Sequence, residues 1–208
     1  MSTKTYSIIR EQEYLRIEKL VLNGSILDIG GSTKSGYHKL IKGEHHITTA
    51  NIDSEYGCDL VFDIQNPFPV KNNEFNHVVV LNVLEHIYRF HNVFSEAFRV
   101  LKNGGSFIFA TPFFHQIHGS PDDYFRYTKS TLEKILKENN FNNIVIEELG
   151  FGLFSLFFQI IGGGLPPFLR NITKRLCIGT DKSLLKVSRR YRNLNKKIPL
   201  GYFVIAKK

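Results

Sequence analysis

The chain is poor in cysteine, and its two, Cys58 and Cys177, lie far apart with no CxxC pair. Neither a disulfide framework nor a thiolate zinc site can be built from them, and a reducing cytoplasm is the compartment they suit. No apolar stretch of signal-peptide length opens the sequence, which begins MSTKTYSIIREQEYLRIEKL, so secretion is not expected. Internal repeats and low-complexity tracts are also missing. Acids are nearly absent from the C-terminal part: residues 165–208 hold twelve Lys and Arg against one acid, Asp181, a net +11. The rest of the chain carries fifteen bases and eighteen acids, a net −3, so the overall +8 belongs to one end. Such a block points to a polyanion or an anionic membrane surface, with a solvated face that only aids solubility as the plain alternative.

What is present is enough for one core: 208 residues at 42% apolar content predict a single domain with an appendage. Residues 10–22 read as a helix with Tyr14, Ile17, Val21 and Leu20 on one face, ended by Asn23-Gly24. Short apolar strands and helices then alternate. Strands are expected at 25–30, 46–53, 58–63, 76–83, 106–111 and 143–149, with helices at 36–41, 92–102 and 128–139. Near-continuous apolar strands of this kind imply a parallel sheet covered on both faces. Ligands of such sheets sit outside the carboxyl ends of the strands, at the switch point beside the first.

The first strand ends in Asp28-Ile29-Gly30-Gly31-Ser32-Thr33-Lys34-Ser35-Gly36. Small residues let the backbone pass close to a ligand, and the element that follows offers free N–H groups. A dinucleotide turn needs G-x-G-x-x-G, and Ser32 stands where its second glycine would be. Asp28, two residues before Gly30, suits the ammonium or sulfonium of S-adenosylmethionine (SAM) better than a pyrophosphate. Asp53, about twenty residues on, can accept both ribose hydroxyls of an adenosine. Asp63 can meet an adenine amino group while Ile64 covers the ring. Each acid alone reads equally as a strand-end cap; three in order at successive strand ends are harder to dismiss.

The segments LDIGGSTKSG, NID, FDIQNPFPV, FNHVVVLNVLEHI, FSEAFRVLKNGGSFIFATP and PLGYFVIAKK resemble, in order and spacing, the class I SAM-dependent methyltransferases. The resemblance implies an α/β, Rossmann-like, doubly wound sheet of seven strands. It would be mostly parallel with an antiparallel last strand, and carry helices on both faces. It further implies that Gly30, Gly31 and Ser32 line the methionine part of SAM while Asp28 orders the loop or reaches the amino group through water. Asp53 would hold the ribose, Asp63 with Ile64 the adenine, and Asn82 with Val83 the region beside the transferred methyl. S-adenosylhomocysteine would be the product. The family pattern D-x-G-x-G-x-G is broken here at Ser32 and Lys34. A small serine is tolerable, whereas Lys34 has to point outward or neutralise the SAM carboxylate.

Methyl transfer to a hydroxyl needs a group to take the acceptor's proton. Two clusters offer one. Asn82-Val83-Leu84-Glu85-His86 resembles the E-x-x-E-H segment by which quinone-pathway O-methyltransferases are thought to hold a metal. Asn82 replaces the first glutamate, so no metal site is expected. Glu85 reads as a helix-start acid and His86 as either a base or a packed histidine. The second cluster runs from His115 to Thr128 and contains His118, Asp123, Tyr124 and Arg126. It resembles the HG-x-P-x-D-Y-x-R-[YF]-T segment of methyltransferases found among bacterial surface-glycan biosynthesis proteins. His118 is the leading candidate base, with His115 and His86 behind it. Asp123, Tyr124 and Arg126 would either bind the acceptor or brace the loop.

The domain is accordingly expected at 25–208, with a helix at 1–24 packed on it and an insertion at about 150–200 before the last strand. The insertion opens with the uncharged run GFGLFSLFFQIIGGGLPPF, which Gly162-Gly163-Gly164 and Pro166-Pro167 break too often for a membrane span. An interfacial element with Leu153, Phe154, Phe157, Phe158 and Ile161 on the inserted side fits better, backed by the basic stretch to residue 197. A homodimer interface and a lid over an apolar acceptor are open readings of the same aromatics. Nucleic acid ranks lower, because the aromatics precede the charges instead of alternating with them. The expected activity is O-methylation of a small-molecule, glycan or lipid-linked acceptor by a cytoplasmic protein resting on the inner membrane face. An RNA methyltransferase and a catalytically silent scaffold of the same fold are the alternatives, and a nicotinamide dehydrogenase is the weakest.

Overall fold

A computed structural model describes residues 7–119 and 122–208. Seven strands form one sheet: β1 (Gly24–Ile29), β2 (His45–Asn51), β3 (Leu60–Val61), β4 (Phe75–Leu81), β5 (Leu101–Pro112), β6 (Asn142–Leu149) and β7 (Gly201–Lys207). Their order is β3-β2-β1-β4-β5-β7-β6. The first five are parallel, and β7 runs antiparallel between β5 and β6.

The central strands feed two cores by simple alternation. Leu27, Ile29, Val78, Val80, Phe107, Phe109 and Val204 face one side, packed under α2 (Phe90–Val100) and α3 (Lys129–Glu138). On α2 the stripe Val93, Phe94, Ala97 and Val100 is wholly buried, and Phe94 meets Phe107 and Phe109 edge-on at 5.7 and 5.6 Å. Ile26, Val79, Ile108, Ala110 and Phe203 face the other side.

That second side is covered unconventionally. Between β1 and β2 there is only a 3-10 turn, Gly36–Leu40, where a helix was expected. The cover comes instead from α1 (Ile8–Ile17) and from the insertion, which folds as α4 (Leu153–Ile161), α5 (Pro167–Val187) and α6 (Arg189–Asn195). Ile8, Ile9 and Ile17 of α1, Phe158 of α4 and Cys177 of α5 all enter this core. Helix α1 stops earlier than its periodicity suggested: Val21 is outside it, 64% exposed, and forms a lone bridge to Lys42.

One acid organises the insertion. Asp181 of α5 is fully buried and accepts hydrogen bonds from Phe154 N (3.0 Å), Ser155 N (2.7 Å), Ser155 Oγ and Tyr191 Oη. It thereby caps α4 from another helix and ties in α6, because the α4 N-terminus has no side-chain cap of its own. Lys174 of α5 reaches Glu11 of α1. Among the described residues no helix is long and apolar enough to cross a membrane.

Candidate active site

Two cavities open at the carboxyl ends of β1 and β4 and meet at Gly30 and Asn82. The first, about 310 Å³, is lined by Gly30, Asn51, Ile52, Tyr56, Phe62, Asp63, Ile64, Asn82, Val83, His86 and Tyr124, among others. The second, also about 310 Å³, is lined by Arg10, Glu13, Tyr14, Gly30, Lys34, Tyr37 and Asn82, among others.

Gly30 makes the junction possible. Its φ is +80°, and a Cβ there would lie 2.3 Å from Val83 Cγ2. A Cβ on Gly31 would lie 1.8 Å from Asp28 Oδ2, so the loop rests directly on that carboxylate. Asp28 is buried and accepts hydrogen bonds from Tyr37 Oη at 2.7 and 2.6 Å, with His38 Nε2 2.6 Å from Oδ2. Its oxygens are thus committed to ordering the loop. Burial and the adjacent carboxylate hold the Tyr37 hydroxyl well above its usual pKa, which keeps it a donor.

Besides Asp28, three residues assigned to the cofactor by sequence stand off the cavity lining. The Gly31 carbonyl accepts a hydrogen bond from Asn51 Nδ2 at 3.1 Å. Ser32 is a turn residue, its N–H donating to Ser35 Oγ and its Oγ accepting from Lys34 N. Asp53 is exposed and caps the 3-10 turn Ser54–Tyr56, accepting from Glu55 N at 2.9 Å. Asn51 and Tyr56 occupy the wall instead. Asp63 and Ile64 do line it, Asp63 Oδ1 accepting from Gln65 N at 2.9 Å.

Asn82 holds a left-handed φ of +54°, and its Nδ2 donates to Glu13 Oε2 at 3.0 Å. Glu13 escaped the sequence reading. It is 1% exposed, its Oε1 has no hydrogen-bond partner, and burial raises its pKa to about 7. The signal was present: Ile9, Glu13 and Ile17 share one helical stripe at four-residue spacing, and an acid on an apolar stripe is unexpected there.

The histidines gather at the mouth of the first cavity. His86 lines it, with Nδ1 2.5 Å from Asp122 O. The His118 ring lies 5.0 Å from that of His86 and 4.6 Å from that of His115. Burial lowers the His115 pKa, which favours the neutral ring. Glu85, expected as a helix-start acid, is fully buried with both carboxylate oxygens unpartnered, and burial pushes its pKa up to about 8.

The loop is a brace. Asp123 takes Arg126 in a two-pronged pair and also accepts from His118 N at 2.9 Å. The guanidinium holds the Asp123 carboxyl well below the usual range and spends the charge of Arg126. Neither side chain is left over for an acceptor. Tyr124 N and Phe125 N donate to Glu85 O, and Tyr127 Oη donates to Leu84 O at 3.1 Å, so the segment is pinned to the turn after β4. Tyr124 lines the cavity, its hydroxyl donating to Asp122 Oδ2 at 2.8 Å. Ser120 and Pro121 of the motif lie outside the described residues.

A family model described as a methyltransferase domain matches residues 38–109. No curated protein matches the sequence. Solved structures do match. A SAM-dependent methyltransferase from Archaeoglobus fulgidus aligns over 97% of this chain and 92% of its own, at 14% identity and a TM-score of 0.57. The match to a Haloferax volcanii complex of the Trm112 methyltransferase activator with a methyltransferase covers 96% and 88% (14% identity, TM-score 0.59). Phosphoethanolamine N-methyltransferase 2 of Haemonchus contortus, in complex with SAM, aligns over 95% of this chain and 52% of its own, at 17% identity and a TM-score of 0.54. Together with the strand order, these matches show that the chain has the fold of the SAM-dependent methyltransferases, with residues 38–109 similar to a methyltransferase domain.

Proposed function

We propose that the chain is a SAM-dependent methyltransferase acting on an oxygen of a small-molecule, glycan or lipid-linked acceptor. The observation that carries this reading is the pair of cavities meeting at Gly30 and Asn82. The first suits an adenosine, with Ile64 for the base, Asp63 for its amino group and Asn51 at the ribose. The second suits an amino-acid zwitterion: the unpartnered Oε1 of Glu13 for the ammonium, Arg10 and Lys34 for the carboxylate. SAM would supply an electrophilic methyl, transferred in line to the acceptor oxygen as the carbon–sulfur bond breaks. The chain's own part is alignment, exclusion of water and removal of the acceptor proton. The loop after β5 supports an oxygen acceptor, because it sets the His118 ring edge-on to His86, which lines the cavity, with the His115 ring tilted beside His118.

Calorimetric titration with SAM and with S-adenosylhomocysteine tests the reading. Saturable binding that Asp63→Ala and Glu13→Gln each weaken by roughly tenfold, about 1.4 kcal/mol, is expected. Absence of binding at millimolar cofactor overturns it.

The insertion supports an acceptor held at a membrane surface. Leu153, Phe154, Phe157 and Ile160 of α4 and Phe168, Leu169, Ile172 and Leu176 of α5 are exposed. Exposed bases follow them at Arg170, Arg175, Lys182, Lys186, Arg189, Arg190, Arg192, Lys196 and Lys197. Phe158, expected on the inserted side, is instead in the core, and Ile160 takes an exposed place. A partner protein, as the Haloferax complex has, is the second reading of this surface.

A further inference from the structure

Glu85, His86 and His118 converge from the turn after β4 and the loop after β5. The Glu85 carboxylate is fully buried, and neither oxygen has a hydrogen-bond partner. Each histidine spends Nδ1 on a backbone carbonyl, His86 on Asp122 O at 2.5 Å and His118 on Gln116 O at 3.2 Å. A carbonyl only accepts, so both rings carry their proton on Nδ1, and in the neutral rings both Nε2 atoms present lone pairs. Those atoms lie 3.7 Å (His86) and 3.9 Å (His118) from Glu85 Oε1. Two lone pairs and an unpartnered buried carboxyl group therefore face one another with no hydrogen bond formed between them, an arrangement that is costly unless a cation joins them.

We propose that Glu85, His86 and His118 bind a divalent transition-metal ion of the zinc type at the mouth of the first cavity. One carboxylate oxygen and two imidazole nitrogens are a ligand set for such an ion, with a further position left for water or an acceptor oxygen. The three ligand atoms already lie within 4.8 Å of one another. Metal–ligand bonds of about 2.0–2.2 Å in a tetrahedron put ligands roughly 3.3 Å apart, so both Glu85–histidine separations close by roughly half an ångström. The carbonyls on the two Nδ1 atoms are the outer partners that orient metal-bound imidazoles. Asp123 Oδ2, 3.4 Å from His118 Nδ1, strengthens the same orientation. Arg126, the nearby cation, is neutralised by Asp123. Asn82 contributes nothing here, since its amide is engaged by Glu13. The third ligand comes from the next loop, which is why the local segment alone argued against a metal.

If the proposed methyl transfer holds, the ion would lower the pKa of an acceptor hydroxyl, and the histidines would act through it instead of as free bases. The ion site itself does not depend on that reading. The full chain, stripped with a chelator, is titrated with Co²⁺ and then Zn²⁺. The expected result is one equivalent of Co²⁺ with visible d–d absorption that Zn²⁺ displaces. His118→Ala and Glu85→Gln would each weaken uptake by roughly tenfold or more, and the exposed His46→Ala would not. His118 lies in a half-exposed loop, so its variant reports binding without a folding defect. Absence of the absorption, or affinity unchanged in both variants, overturns the proposal. SAM calorimetry on the same samples separates its failure from failure of the cofactor reading.

Discussion

Gly30 and Glu13 are where single side chains decide the most. At Gly30 a methyl group meets Val83 on a backbone with φ of +80°. Gly30→Ala is therefore expected to cost about 1–3 kcal/mol in urea denaturation and to abolish SAM binding, since the loop must shift away from the cavity junction. Glu13 gives a pH dependence of known sign. Burial raises its folded pKa from the ordinary 4.5 to about 7, so the folded chain keeps a proton that the unfolded chain releases. Stability from this group is full below pH 4.5 and is lost as pH rises to about 7, up to about 3 kcal/mol. The Asn82 hydrogen bond opposes the shift most, followed by Arg10 and Arg16. Glu13→Gln should flatten that part of the stability–pH curve. Binding of a cationic ammonium runs the other way: SAM affinity should rise through pH 7 in the native protein and stay level in the variant. Equal slopes in both proteins would remove Glu13 from the site.

At the scale of elements, the insertion is part of the core and not an appendage hung on it. Its uncharged run reads as one interfacial segment, yet Ser155 and Phe158 face inward while Phe154 and Phe157 face out. The division is set by Asp181, twenty-six residues from Ser155, which periodicity in α4 cannot reveal. Asp181→Ala leaves the Phe154 and Ser155 amides without their acceptor. It should cost on the order of 3 kcal/mol and raise hydrogen exchange in α4 while α3 keeps its protection. Uniform protection loss in both helices would mean the cap has no local role.

For the whole molecule, charge and apolar exposure coincide in the chain's last quarter. Binding to vesicles of anionic phospholipid should fall steeply with salt, since each basic residue near such a surface contributes about 1 kcal/mol. Phe154→Glu with Phe157→Glu should release the protein, and vesicles of neutral phosphatidylcholine should not hold it. Retention on neutral vesicles, or no effect of the paired substitution, would favour a protein partner on this face.

The positions of the first five strands, their two-sided burial and the turn at Gly30 were legible from residues 25–112, because apolar patterning and glycine placement are local properties of the chain. Asp63, Ile64, Asn82 and Val83, expected beyond strand ends, do line the first cavity. What only the tertiary structure decided depends on contacts across the chain. Asp28 and Asp53 are consumed by Tyr37, His38 and a cap. Asp123 and Arg126 neutralise one another. Glu13 is carried into the site from α1, and Glu85 is stranded between two histidines. A carboxylate looks alike in any sequence. Whether it caps, pairs or waits for a cation is set by which distant donors the fold brings within about 3 Å of it.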